Sequence, residues 1–274
     1  MLSALLLFRD ALYGTLVIGV TCGLLGVWVV LRRIVFVGAA LAQISSAGIG
    51  LAMLLGGLGV GLGLLTDQLA LAIVVTLLGA AFFSLGSQRR LILPEATIGV
   101  AYAVAGAVGM LLISKAVAGE AHDLFLQGSI LGLTRQDVLL QLAVAIPILL
   151  VHVVFYKEFL FVSFDPDTAR TLGYKVDGWN LLLYLSIGLV IAFAMQSAGV
   201  LLVFSFLVLP AVTGLLLARS MAGTFVVAAV SAAAATIIGF VASVPFDLPT
   251  GSAVIASSGL LVLSAWAVRR LRGD

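Results

Sequence analysis

The chain has 274 residues, of which 63% are hydrophobic and only 9% charged, and its mean hydropathy is +1.29. So little polar surface cannot cover a soluble globule of this size, which excludes that class. The formal charge is +2 with one cysteine, Cys22, and two histidines, so an intrachain disulfide is excluded and a dedicated multi-ligand zinc cage is disfavoured.

Taken in order, the first apolar run covers 11–31, behind Arg9. It is too long for a signal-peptide core and lacks a convincing cleavage site, so it reads as a retained first span. A membrane-crossing helix needs about 20 apolar residues. Further charge-free intervals lie at 34–66, 68–88, 96–114, 138–156, 178–218, 220–246 and 248–268. The 34–66 interval holds one span followed by a glycine-rich outer turn (Gly56, Gly57, Gly59, Gly61, Gly63). The stretch 124–133 is apolar but too short to cross and reads as an outer half-helix. The 178–218 interval is long enough for two spans, broken near Gln196-Ser197-Ala198-Gly199. The expectation is an all-α polytopic membrane protein with nine spans, or eight if one is re-entrant, in a single transmembrane domain over 1–274. Small residues at helical spacing, Gly19/Gly23/Gly26 and Ala103/Gly106/Gly109, predict close helix packing.

Alternating nine spans puts Arg32, Arg33, Arg89, Arg90, Lys157, Arg170, Lys175, Arg219, Arg269, Arg270 and Arg272 on one side and Arg9, Lys115 and Arg135 on the other. Basic residues concentrate on the cytoplasmic face, which places the N-terminus outside and the C-terminus in the cytoplasm.

The longest polar interval, 157–178, then lies in the cytoplasm. Within it Asp165-Pro166-Asp167-Thr168-Ala169-Arg170-Thr171-Leu172-Gly173 reads as a short capped helix inside 164–174. Asp165 is the N-cap, Pro166 suits the first helical position, Asp167 complements the helix dipole and Gly173 stops the turn. A coupling element pushed by a soluble partner and an ordinary interfacial helix are the two readings, and the cytoplasmic placement favours the first.

No energy source is visible in the chain. A phosphate-binding loop needs glycines leading into Lys-Ser/Thr, and Lys115, Lys157 and Lys175 sit in ISKAV, FYKEF and GYKVD. No charged side chain falls in the middle of a predicted span, which argues against a proton-driven relay. No Ser/His or Asp/Asp pairing at span depth points to an intramembrane hydrolase, so no catalytic residue is assigned and the chain is not expected to be an enzyme.

Several stretches together resemble the membrane permeases of the zinc/manganese/iron class of ABC importers, over nearly the whole chain. They are Arg32-Arg33-Ile34-Val35-Phe36-Val37-Gly38, Glu95-Ala96-Thr97-Ile98-Gly99, Leu126-Gln127-Gly128-Ser129-Ile130-Leu131, Phe164-Asp165-Pro166-Asp167 with Ala169 and Gly173, Gly199-Val200-Leu201-Leu202-Val203 with Pro210-Ala211, and Asp247-Leu248-Pro249-Thr250-Gly251. The resemblance implies a multi-pass permease of a prokaryotic inner membrane, paired with a second permease copy. It also implies two cytoplasmic ATPases, which carry the ATP and magnesium, and an extracytoplasmic binding protein. No nucleic-acid partner and no cofactor in this chain are expected. Asp165, Pro166, Asp167, Ala169, Arg170 and Gly173 would face the ATPase, and 247–251 would lie outside near the binding protein, with Thr250 or Ser252 capping the last span.

One departure is chemical. The family's second span carries Gly-Asp-x-x-x-His, whose acid and imidazole share a helix face; here the run is Gly38-Ala39-Ala40-Leu41-Ala42-Gln43. Ala39 has no ligand atom and Gln43 offers only a neutral oxygen, so no metal residues are assigned. Ala39, Gln43 and Ser46 remain the pathway positions. Lining the pathway and packing between helices both stand for Gln43. Gln196 is a further polar residue, and for Ser45, Ser46, Ser197, Ser205 and Thr213 interhelical bonding or a bond to the i−4 carbonyl is the simpler role. His152 reads as an interfacial or packing histidine rather than a ligand; Glu120, His122 and Asp123 form a loose outer trio that could meet a cation, with a solvated loop the simpler reading. The cargo is then a divalent ion or a metal chelate moved by alternating access. A non-transporting scaffold, the same fold carrying another small solute, and a secondary carrier are the rivals.

Overall fold

The computed structural model describes residues 8–59, 63–86, 94–116 and 130–272, and all regular structure among them is helical. The chain runs through α1 (Arg9–Leu31), α2 (Val35–Gly57), the short α3 (Gly63–Thr66), α4 (Gln68–Gly86), α5 (Pro94–Ala116), a 3-10 turn (Ile130–Gly132), α6 (Arg135–Val154), α7 (Tyr156–Phe164), α8 (Pro166–Thr171), α9 (Val176–Leu217), α10 (Met221–Phe246) and α11 (Thr250–Arg272). Eight of these are long and apolar enough to cross a membrane. Helix is the form such segments take because lipid offers no partner for a backbone N–H or C=O.

Four helix starts, those of α4, α6, α8 and α10, are fixed by polar side chains that the hydropathy pattern does not weigh. Thr134 and Asp137 cap α6 reciprocally: the Thr134 N–H donates to Asp137 Oδ2 at 2.9 Å and the Asp137 N–H to Thr134 Oγ1 at 3.3 Å. Asp67 accepts from the N–H groups of Leu69 and Ala70 at the head of α4, and Ser220 from Gly223 at the head of α10. Thr250 does not cap α11 as expected. It is the first residue of that helix, and its hydroxyl donates to Ser243 Oγ at 3.3 Å instead.

The 42-residue α9 is a double element. Gly199, at φ 72° and ψ 168°, leaves helical geometry inside it, where the sequence places a break. Its two parts, 176–198 and 200–217, would each span roughly 27–35 Å at 1.5 Å per residue, which matches one bilayer crossing apiece.

The described residues group into two compact units. One draws on the stretches 1–33, 126–145 and 197–274. In it Val27, Ala211 and Ala228 form a buried cluster, extended by Phe225, whose ring tilts on Trp28 at 5.0 Å. Gly26 of α1 presses on the Leu207 backbone of α9, so the small-residue stripe at 19–26 is an interface, as expected. The other unit draws on 34–125 and 146–196 and contains α2 lying against α4 and α5. Gly106 and Gly109 of α5 meet α2 closely, but Ala103 is exposed, so only part of the second stripe packs.

Candidate functional site

Two groups of residues were singled out by the sequence, and both lie in the unit built from 34–125 and 146–196. The first is α8. Asp165 is its N-cap, with Oδ1 accepting from the Thr168 N–H at 3.0 Å, and Pro166 takes the first helical position. At the far end Gly173, at φ 86°, donates to the Arg170 carbonyl at 3.1 Å and Tyr174 to the Ala169 carbonyl at 3.0 Å. That pair of bonds is a glycine-terminated Schellman motif, and a side chain at a left-handed residue 173 would strain it. Each expected cap residue is therefore where the sequence put it.

Packing holds the helix down. Ala169 is fully buried against Val162 of α7 and Val176 of α9, with Phe161 and Trp179 at the rim. The contact continues inward: the Phe159 ring meets Trp179 at 5.3 Å and stacks on His152 at 4.5 Å. His152 is buried and its Nδ1 lies 2.9 Å from the Ile148 carbonyl, so of the interfacial and packing roles read from the sequence the structure has the packing one.

Charge is arranged on the outside. Arg170 reaches Asp177 Oδ1 at 3.1 Å and Asp167 at 4.0 Å, while the Asp167 side chain is 95% exposed. Asp177 was not foreseen, because a partner seven residues away, past a left-handed glycine, follows no helical periodicity. An exposed pair of this kind stabilises by about 0–1 kcal/mol, so the caps and buried Ala169 set the shape of α8 and the ions decorate it.

Hydrogen bonds from the Thr168 hydroxyl and backbone N–H hold the Asp165 carboxyl below the usual carboxylate range. A depressed folded-state pKa contributes stability above the ordinary carboxylate value and loses it as pH falls through the lowered one. Amide-hydrogen protection at Thr168 is accordingly expected to stay level from neutral pH down into the ordinary carboxylate range and to drop only in stronger acid. Asp165→Ala should show the low protection at every pH; equal protection in both proteins would remove the capping role.

The second group is on α2. Ala39, Gln43 and Ser46 fall on one helical face. Ala39 and Ser46 are buried and Gln43 is half-buried. The Gln43 amide lies over Gly106 of α5, where a β-carbon would come within 3.3 Å of Cδ and Oε1. Gln43 thus fills a hollow that a glycine leaves. The face offers a methyl, a carboxamide and a hydroxyl, all neutral, and no group of three or more His, Cys, Asp or Glu gathers for a metal among the described residues. Ser205 and Thr213 bond their i−4 carbonyls, at 2.7 and 3.0 Å, and Ser197 accepts from Gln141 at 3.2 Å. Glu120, His122, Asp123 and the stretch 126–129 lie outside the described residues.

These features can be set beside known proteins. The sequence profile of the ABC 3 transport family matches residues 5–269. The manganese import system permease protein ScaB of Streptococcus gordonii is 31% identical over 260 residues, covering 95% of this chain and 90% of that protein. The manganese transport system membrane protein MntC of Listeria monocytogenes is 29% identical over 274 residues, covering 94% and 89%. Among solved structures, PsaBC from Streptococcus pneumoniae in complex with Fab superposes with a TM-score of 0.82 at 28% identity, covering 97% of this chain and 95% of that one. The match spans both the capped α8 and the neutral α2 face, and the chain belongs to the ABC 3 transport family, the metal-ion ABC importer permeases that its motifs resemble.

Proposed function

We propose that this permease imports manganese, or a closely similar divalent metal, through a dimer of two copies driven by cytoplasmic ATPases that dock on α8. The observation that carries the metal is the near full-length similarity to two proteins named for manganese import. The observation that carries the docking is α8 itself: capped at both ends, seated by Ala169 and exposing Asp167 and Arg170. ATP binding in the partners would draw the two α8 helices together and shift the membrane dimer between outward- and inward-open states. ATP and magnesium belong to those partners. An extracytoplasmic binding protein would deliver cargo near the turn at 247–249, where Asp247 is left-handed at φ 49° and Leu248 and Pro249 are exposed. The basic-residue distribution supports an N-terminus outside and a C-terminus in the cytoplasm of a prokaryotic inner membrane.

The neutral α2 face favours cargo that keeps its own ligands, as a partly hydrated ion or a chelate, with selectivity supplied by the binding protein.

In vesicles reconstituted with the ATPase, cargo-stimulated ATP hydrolysis and manganese uptake are expected for the native permease. The Asp167→Ala/Arg170→Ala double variant should remain in the membrane and lose both. A cysteine in place of Leu172, which is exposed beside α8, should react with an impermeant thiol reagent only from the cytoplasmic side. Unchanged stimulation in the double variant would sink the docking reading, and labelling from outside would invert the topology.

A further inference from the structure

The last turns of α11 carry Arg269, Arg270 and Arg272 beside an exposed Trp266. The Arg270 guanidinium lies over the Trp266 ring, 5.4 Å from its centroid. None of the three arginines has a carboxylate partner among the described residues. Upstream, Ala256, Leu260, Leu263 and Ala267 follow one another at helical spacing toward Arg270, and all are exposed. The result is an apolar track along a membrane helix that ends in a basic, aromatic cluster.

From this we infer that the end of α11 is a binding site for an anionic phospholipid. An acyl chain would lie along Leu260 and Leu263, and the headgroup phosphate would sit at Arg269 and Arg270. The chemistry fits in three respects. A guanidinium held over an indole ring makes no hydrogen bond to it, which leaves N–H groups to form the planar fork that grips phosphate oxygens. Tryptophan prefers the headgroup level, which is where a phosphodiester lies. Unpaired cations at a membrane surface attract anionic lipid, and each contributes about fivefold in partitioning. Only an amphiphile matches both halves of the surface, since a free phosphate would leave the apolar track unused.

The test uses the full-length permease extracted in polymer nanodiscs from membranes containing phosphatidylglycerol and phosphatidylethanolamine. Phosphatidylglycerol should be enriched around the native protein above its bulk fraction. The Arg269→Gln/Arg270→Gln/Arg272→Gln variant should show the bulk ratio, and the triple lysine variant should retain part of the enrichment. In detergent, phosphatidylglycerol should raise the thermal midpoint of the native protein more than that of the glutamine variant, while inorganic phosphate should leave both unchanged. Equal lipid ratios around native and glutamine proteins would overturn the proposal. So would a shift with inorganic phosphate alone, which assigns the arginines to a free anion. Disulfide crosslinking of two copies through Leu260→Cys would overturn it too, by assigning the track to a protein interface.

Discussion

Alanine at Gly26 is expected to destabilise the permease by about 3 kcal/mol, the upper end of what overpacking does in a close-packed interior. A β-carbon there would be driven into the Leu207 carbonyl, which is main chain and cannot rotate aside as a side chain would. Either α1 or the second half of α9 must shift, disturbing the cluster of Val27, Ala211 and Ala228. Gly259 of α11 is the matched control, since nothing lies within 4 Å of a β-carbon there. Alanine at 259 should be neutral or stabilise slightly, by up to about 1 kcal/mol from helix propensity alone. Thermal midpoints of the two variants in the same detergent separate the effects. Equal midpoints would mean that α1 and α9 do not meet as described.

Metal affinity is where the second large effect is expected. The native permease should bind zinc and manganese more weakly than micromolar in calorimetry, because the α2 face presents only neutral groups. The Ala39→Asp/Gln43→His double variant puts a carboxylate and an imidazole one helical turn apart. It should bring zinc binding to about micromolar, which corresponds to roughly 8 kcal/mol of binding free energy. The Gln43→His single variant serves as control, because an unpaired buried carboxylate at 39 would tend to take up a proton. Micromolar or tighter binding by the native protein, mapped to α2, would show that its pathway holds a metal site of different composition.

How far the sequence could be read depended on the kind of physics involved. Membrane helices were legible because hydropathy is local, and span boundaries agree within a few residues, from 11–31 against Arg9–Leu31 to 248–268 against Thr250–Arg272. The helix at 165–173 was legible because Asp, Pro and Gly each act on the backbone next to them. The glycine break in α9 was legible for the same reason. Partners remote in sequence were not. Asp177 on Arg170, Gln43 over Gly106 and the stack from Trp179 through Phe159 to His152 depend on how segments return to one another. Ala103 shows the converse error, since a residue can share the spacing of Gly106 and still face outward. Thr250 fits the composition of a cap, yet it lies inside the first turn of α11 and its hydroxyl donates to Ser243 Oγ.

The double capping of α8 bears on the thermodynamics of docking. A free six-residue helix would not persist in water, because nucleating one turn fixes several dihedrals for a single hydrogen bond. Here Asp165, Gly173 and the seated Ala169 have already removed that freedom before any partner arrives. A protein that binds α8 therefore meets a preorganised ligand and pays little ordering entropy on contact. Preorganisation of this kind strengthens the grip of any docking partner without adding a contact, because each encounter begins from the bound shape.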